Sequence, residues 1–384
     1  MITNTAEGKT IRGQVLELIR DAGPMPRAEL ARRLQLSATT ITRAVSDLEA
    51  DKIVSEGQTL ATTGVGRPGT TLHIRADSCC VGAVQIGIGI VHLGIFNALG
   101  EQRVADQFAY PIESTADAVL RRIGEGIAAL CVASGVDAAR LLGVGVAVPG
   151  PVDAAGRRML LSIRLHWRDV AVADTLESFT GRPVTVEHNV RSMALAEARF
   201  GQGRGLGSVA FVYLRSGLGA GLVVRGQPFS GGVHGAIELG HLPVIGGGLT
   251  CVCGGKGCIE TVLSESALTK SINRLRIAPK PNALTALWSA AQRRKDAAKT
   301  LEAIVNPLAT GLSALMTLLN PELVLLGGAL ADIPDGLFDE IVQATWRGAF
   351  PLIRSSIRIA RSRLQVQAGL AGAATVALDH FLYV

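Results

Sequence analysis

The sequence predicts an α/β protein in two parts: an N-terminal winged helix-turn-helix of about 75 residues, then a larger α/β body. Three observations support this. Three short amphipathic helical patterns and two alternating strand-like runs fill the first 75 residues. After Arg75 the texture changes to glycine-rich apolar strands alternating with helices. One histidine and three cysteines then gather between positions 241 and 258. At 384 residues the chain has room for two or three units.

The first helix reads T-I-R-G-Q-V-L-E-L-I-R, with Ile11, Val15, Leu18 and Ile19 on one face, and Gly23-Pro24 stops it. The second, R-A-E-L-A-R-R-L, turns Leu30, Ala31 and Leu34 inward. Ser37 is placed to cap the third, which Ile41, Val45 and Leu48 hold to the other two. The face left outward carries Ala38, Thr39, Thr40, Thr42, Arg43 and Ser46, short and hydroxyl-rich, with acids delayed until Asp47. Such a surface can enter a major groove, where hydroxyls reach phosphates and an arginine reads guanine. Ser37, Thr39, Thr40, Thr42 and Arg43 are the candidate contacts to double-stranded DNA. I-V-S-E-G and T-L-H-I-R read as wing strands around G-V-G-R-P-G, from which Arg67 can reach a minor groove. Residues 1–75 hold 10 basic and 8 acidic side chains, so affinity has to come from their placement and from dimerisation.

In the body, V-G-A-V-Q-I-G-I-G-I-V-H-L-G-I-F-N reads as two strands and L-L-G-V-G-V-A-V-P-G as another. G-S-V-A-F-V-Y-L and G-A-G-L-V-V-R-G pair as a hairpin, and E-L-V-L-L-G-G is a late buried strand. No run approaches the ~18 uninterrupted apolar residues of a membrane span, and the first residues lack the apolar segment of a signal peptide. The expectation is a cytoplasmic protein without membrane contact. A net charge of +6 permits nucleic-acid binding without requiring it, and 4% aromatics argue against readers that stack single-stranded bases.

Cys79, Cys80 and Cys131 lie in apolar surroundings and read as buried small hydrophobes. His241, Cys251, Cys253 and Cys258 are different: one imidazole and three thiolates complete a tetrahedral set for Zn²⁺. Four protein ligands leave no open position, so such a site is structural.

The runs G-V-H-G-A-I-E-L-G-H-L-P and C-V-C-G-G-K-G-C-I-E resemble the ROK family of repressors and sugar kinases. The resemblance extends to V-G-V-A-V-P-G-P-V-D, H-W-R-D-V-A-V-A-D-T-L, E-H-N-V-R-S-M-A-L-A-E and L-N-P-E-L-V-L-L-G-G, and the winged helix matches the repressor branch. It implies a two-lobed actin-like body around a sugar cleft, and homodimers or homotetramers. The implied boundaries are 1–75 for the reading head, 76–188 for the first lobe and 189–366 for the second. A last helix over 367–384 is expected to pack back on the first lobe. The resemblance also places Glu238, His241 and Glu260 in the cleft, with Asn189 and His188 completing it. Paired carboxylates suit vicinal hydroxyls; the other role open to Glu238 and Glu260 is bracing the metal loop.

Measured against the family's kinases, the phosphate-handling parts are altered. The first phosphate motif, roughly D-x-G-G-T-K, corresponds to Gln85-Ile86-Gly87-Ile88-Gly89-Ile90, and Arg215 replaces the first glycine of the second. The general-base aspartate falls on Asn189, which has no basic lone pair at neutral pH. The resemblance thus implies a DNA-binding regulator of carbohydrate metabolism, controlled by a sugar or sugar-phosphate effector, and no catalytic residue. The alternative is an active sugar kinase with an accessory DNA-binding arm, against which Asn189 and Gln85 speak.

Overall fold

The computed structural model describes residues 9–59, 70–232, 235, 237–364 and 367–384. The N-terminal unit packs helices α1 (Ile11–Ala22), α2 (Arg27–Leu34) and α3 (Ala38–Ala50) on a small sheet of β1 (Met25–Pro26), β2 (Val54–Thr59) and β3 (Thr70–Ile74). The sheet order is β1-β3-β2, with Val54 opposite Ile74 and Glu56 opposite Leu72 across the wing. Thr10 caps α1 by accepting the Gly13 N–H, and Gly23 ends it at φ 87°. The buried face of α1 is Val15, Leu16 and Ile19; Ile11 is exposed and Leu18 only half-buried. The expected stripe is therefore rotated, because α1 is covered from two sides, by its partner helices and by the C-terminus of the chain.

The body contains two sheets of the same design. The first uses β4 (Cys80–Ile86), β5 (Ile90–Asn97), β6 (Gln102–Ala109), β7 (Leu141–Val148) and β10 (Val184–His188) in the order β10-β7-β4-β5-β6. A separate hairpin, β8 (Met159–Ser162) and β9 (Trp167–Val170), stands between β7 and β10 in sequence. The second uses β11 (Ser208–Leu214), β12 (Leu218–Val224), β13 (Gln227–Pro228), β14 (Leu323–Gly328) and β15 (Arg358–Arg361) in the order β13-β12-β11-β14-β15. In each, the first strand pairs antiparallel with the second and parallel with the fourth. This repeated topology is the two-lobed actin-like plan. Helices α4 (Ala116–Ala133) and α5 (Val172–Thr180) cover the first sheet, and α6 (Asn189–Phe200) packs on β11 and β12.

The second half adds α7 (Glu260–Leu263), α8 (Glu265–Arg274), α9 (Ala283–Ala291), α10 (Lys295–Leu319) and α11 (Asp335–Gly348), and α12 (Gln367–Phe381) closes the chain. By length and composition α10 could cross a membrane, but just over half of its apolar window is buried and its inner face is core. Leu301, Ile304, Val305, Leu308 and Leu312 all sit in that core beside Val324 and Leu326.

Helix α12 is rich in Ala and Gly and packs on β4 and β7 and along α6. A Cβ on Gly372 would lie 2.5 Å from the backbone of Ser192 in α6, so only glycine permits this approach. Its apolar face also joins the reading head: Val15, Leu16, Ile19, Val81, Ala147, Ala373, Leu378 and Tyr383 belong to one continuous core. Asp379 binds Arg199 of α6 through two bonds of 2.5 and 2.9 Å and Arg20 of α1 at 3.5 Å. Both arginine side chains are only 6% exposed. Arg20 also lies 4.3 Å from the centre of the Tyr383 ring. Burial opposes the Arg20 charge, but its hydrogen bond to Asp21 and the charges of Asp379 and Asp21 outweigh this and raise its pKa.

Removing a carboxylate that two buried arginines share leaves uncompensated charge. Asp379→Ala should therefore cost about 3 kcal/mol in urea unfolding, whereas Asp51→Ala, which breaks the exposed pair with Arg12, should cost less than about 1 kcal/mol.

Candidate functional site

The cleft between the two halves holds a cavity of about 330 Å³. Strand β10 delivers His188 as its last residue, and α6 starts at once with Asn189. Glu238 precedes a single 3₁₀ turn, Leu239–His241, that ends at His241, and Glu260 opens α7. His188, Asn189, Glu238, His241 and Glu260 all line this one cavity.

Their environments differ. Glu260 is 7% exposed, and both its oxygens are engaged: Oε2 accepts the Leu218 N–H at 3.1 Å, and Oε1 accepts from Arg164 Nη2 at 2.6 Å. A Cβ on Gly217 would fall 2.3 Å from Oε2, so the glycine turn is what admits this carboxylate. Glu238 is open to the cleft on one side but crowded by protein on the others. Burial holds its carboxyl above the ordinary range, His241 opposes this and Glu260 adds to it. His188 is buried, and its Nδ1 has no hydrogen-bond partner. Burial first and the neighbouring Arg191 second push its pKa down to about 4, so the ring is neutral at physiological pH.

The cleft continues into a cavity of about 720 Å³ lined by Gln85, Gly87, Ile88, Ile90 and Arg215. The side chains of this lining include an amide, two isoleucines and a guanidinium. A Cβ on Gly369 would be 2.1 Å from the Gln85 amide, so Gln85 is packed against the start of α12.

The metal-ligand set closes into one group: His241, Cys251, Cys253 and Cys258 present donor atoms that all lie within 4.8 Å of one another. His241 Nδ1 is 3.5 Å from Cys251 Sγ, and Cys253 Sγ is 3.8 Å from Cys258 Sγ. Bonds of about 2.3 Å to sulfur and about 2.0 Å to nitrogen give tetrahedral edges of this size, so the four residues fit a zinc ion. A backbone hydrogen bond at Gly255 holds the Cys253 thiol below its ordinary range. The loop forms one wall of the cleft, where Val252 and Cys253 meet Glu238 and Glu260.

On the reading head, Ser37 Oγ accepts the Thr40 N–H at 3.1 Å and contacts Thr40 Oγ1 at 2.8 Å, while Thr42 Oγ1 donates to the Ala38 carbonyl. Three of the four hydroxyl candidates are thus occupied in holding α3 together; Thr39 and Arg43 project from the exposed face. Arg12, Arg20, Arg27, Arg32 and Arg33 all engage carboxylates, and Arg43 has no ion pair among the described residues. Arg67 lies outside the described residues, as does His234. Two groups escaped sequence reasoning. Arg164 precedes the H-W-R-D stretch with nothing in its spacing to mark it, and the Arg20–Asp379–Arg199 cluster joins residues up to 359 positions apart.

These features agree with the comparisons. The ROK family profile matches residues 81–380, and a winged helix-turn-helix DNA-binding profile matches residues 9–55. The chain belongs to the ROK family. It is 24% identical over 375 residues to the xylose repressor of Bacillus subtilis, spanning 96% of this chain and 94% of that one. It is 29% identical over 279 residues to the glucokinase of Thermotoga maritima, spanning 69% of this chain and 86% of the other. The crystal structure of a ROK family transcriptional regulator, a homologue of Escherichia coli Mlc, superposes with a TM-score of 0.82 at 26% identity. That match covers 97% of this chain and 96% of the other, reading head included.

The His188 pKa sets a test. Between 6.5 and about 4 the unfolded chain binds a proton that the folded chain refuses. Stability therefore falls as pH drops through that window and is fully present above it. In urea titrations from pH 7 to 4.5, His188→Asn should lose stability less steeply than the parent; equal slopes would show that His188 titrates normally.

Proposed function

We propose that this chain is a DNA-binding transcriptional repressor of carbohydrate metabolism, controlled by a sugar or sugar phosphate in a kinase-like cleft that does not transfer phosphate. The observation that carries this reading is the union of a reading head, with Arg43 exposed and unpaired, and a ROK body whose base position is an amide. Without a base at Asn189, hydroxyl deprotonation loses on the order of 10²–10⁴ in rate. The altered phosphate turns remove more. Asn189 still donates and accepts hydrogen bonds, as ligand recognition requires.

His241, Cys251, Cys253 and Cys258 would hold one structural Zn²⁺. When bound, the ion stabilises the loop and leaves no site for water activation. His241 would serve the metal through Nδ1 while its ring faces the cleft, so the loop fixes one wall of the effector pocket. Thr39 and Arg43 would contact the major groove, Ser37, Thr40 and Thr42 would set their helix and touch phosphates, and Arg67 would reach the minor groove. Two heads on a pseudo-palindromic operator call for a homodimer or homotetramer, with half-sites one helical turn or a multiple apart. Effector and operator would communicate along α6, which starts at Asn189 in the cleft and in its last turn places Arg199 on Asp379, the carboxylate that also binds Arg20 of the reading head.

Three outcomes follow. Purified protein should contain one zinc per chain by mass spectrometry, and Cys258→Ser should release it and lower the unfolding temperature. A coupled assay with ATP and a panel of sugars should stay at background; turnover near ~1 s⁻¹, an ordinary kinase rate, would overturn the non-enzymatic reading. Arg43→Ala should weaken operator binding by about 1–3 kcal/mol at fixed salt and relax preference at one base pair. Calorimetry should find its sugar affinity unchanged.

A further inference from the structure

The two cleft carboxylates differ: Glu260 is bonded through both oxygens, and the Glu238 carboxylate has no hydrogen bond among the described residues. Arg164 lies between β8 and β9, in the half whose core contains Met159, Leu165 and Trp167. Glu260 stands between Ile259 and Leu263, which belong to the core of the other half. The 2.6 Å bond between them therefore crosses the cleft from one half of the body to the other. The Arg164 side chain is 26% exposed and that of Glu260 9%, so the pair is shielded from solvent screening more than a surface pair. Both residues line the effector cavity, and both also line a second cavity of about 810 Å³ on the far side of the metal loop. The ion pair thus borders both spaces.

We propose that Arg164 is a cross-cleft latch and a specificity-determining residue of the effector site, and this rests on the effector reading given above. The two oxygens of Glu260 are unequal. Oε2 is fixed by the Leu218 N–H through the Gly217 turn, a bond made within one half of the body. Oε1 is the oxygen left to meet a ligand, and Arg164 holds it. A sugar hydroxyl that donates to Oε1 competes with a bond in which donor and acceptor both carry charge, whereas the hydroxyl brings none. Only a ligand that places hydroxyls on Glu260 and Glu238 together recovers that loss. A deoxy analogue, lacking the hydroxyl that meets Glu260, leaves the latch shut. Breaking the latch frees the two halves to move, which links ligand identity to the motion that reaches α6 and the reading head.

The test uses full-length protein, the parent against Arg164→Met, which keeps the length of the side chain and removes its donors, and Arg164→Lys, which keeps the charge. Hydrogen exchange is followed without ligand in the segments 159–170 and 258–263, and D-xylose and D-glucose are titrated by calorimetry. Arg164→Met should speed exchange in both segments about tenfold, the worth of one charge-assisted hydrogen bond, with Arg164→Lys near the parent. Whichever sugar the parent binds should bind Arg164→Met about tenfold more tightly, because nothing competes for Glu260. Unchanged exchange in both segments overturns the latch, and unchanged or weaker sugar affinity overturns the competition. Faster exchange with neither sugar bound by any form leaves the latch standing and rules out D-xylose and D-glucose as the effector.

Discussion

The carboxylate of Asp379, on the last helix, binds Arg20 from the first helix and Arg199 from the helix that begins in the cleft. Three parts of the chain meet at one charge, and the apolar core around it is equally shared. The reading head is therefore seated on the body by the same core that seats α12 on the first sheet. A reading head on a loose tether could not feel a change in the cleft, since a flexible linker transmits no orientation. Close packing and a satisfied charge cluster can, because packed interfaces shift between discrete arrangements instead of deforming smoothly. Helix α12 can play this part because it is rich in Ala and Gly, and Gly372 lets the α6 backbone approach closely.

In the proposed reading, a kinase-like frame serves recognition with few changes. The glycine turn at Gly217 positions Glu260 at the cleft. The residues that depart from the kinase motifs lie along the cleft: Gln85 is packed on α12, Ile88 lines both adjoining cavities, and Asn189 opens α6. Catalysis depends on charge stabilisation at the transition state, whereas binding depends only on the ground state. In the proposed reading, replacing the base and the phosphate contacts removes the first and spares the second. The neutral, buried His188 fits the same division, since it can hydrogen-bond a ligand without adding a second charge beside the carboxylates.

Much of this was legible in the sequence because the signals are local. The three helices of the head repeat their apolar residues at helical spacing, and the metal ligands fall within one loop, so both could be read from short windows. The cleft residues at 188, 189, 238, 241 and 260 came from family likeness, and the structure brings them to one cavity. What could not be read is set by contacts between distant positions. Arg164 and Glu260 are 96 residues apart, and Arg20 and Asp379 are 359 apart. An arginine in a polar loop and an aspartate near the end of an apolar helix look like ordinary surface residues until the fold brings their partners. The rotated face of α1 has the same origin, since Leu16 is buried by the far end of the chain and not by its own domain alone.

The two ion clusters also differ in what they can do. Asp379 is held by two arginines that are nearly buried, and no ligand in the cleft can reach it; its energy is constant, and it can only pass on a movement. Arg164 and Glu260 stand at the cavity wall, where a ligand can trade with either, so their energy changes when the cleft fills. A ligand shifts an equilibrium only by its differential affinity for the two states, typically ~1–3 kcal/mol of coupling. One charge-assisted bond exchanged at Glu260 is of that size. In the proposed reading, one bond exchanged at the wall is therefore enough energy to bias the cleft, and α6 is the element that joins the cleft to the Asp379 cluster.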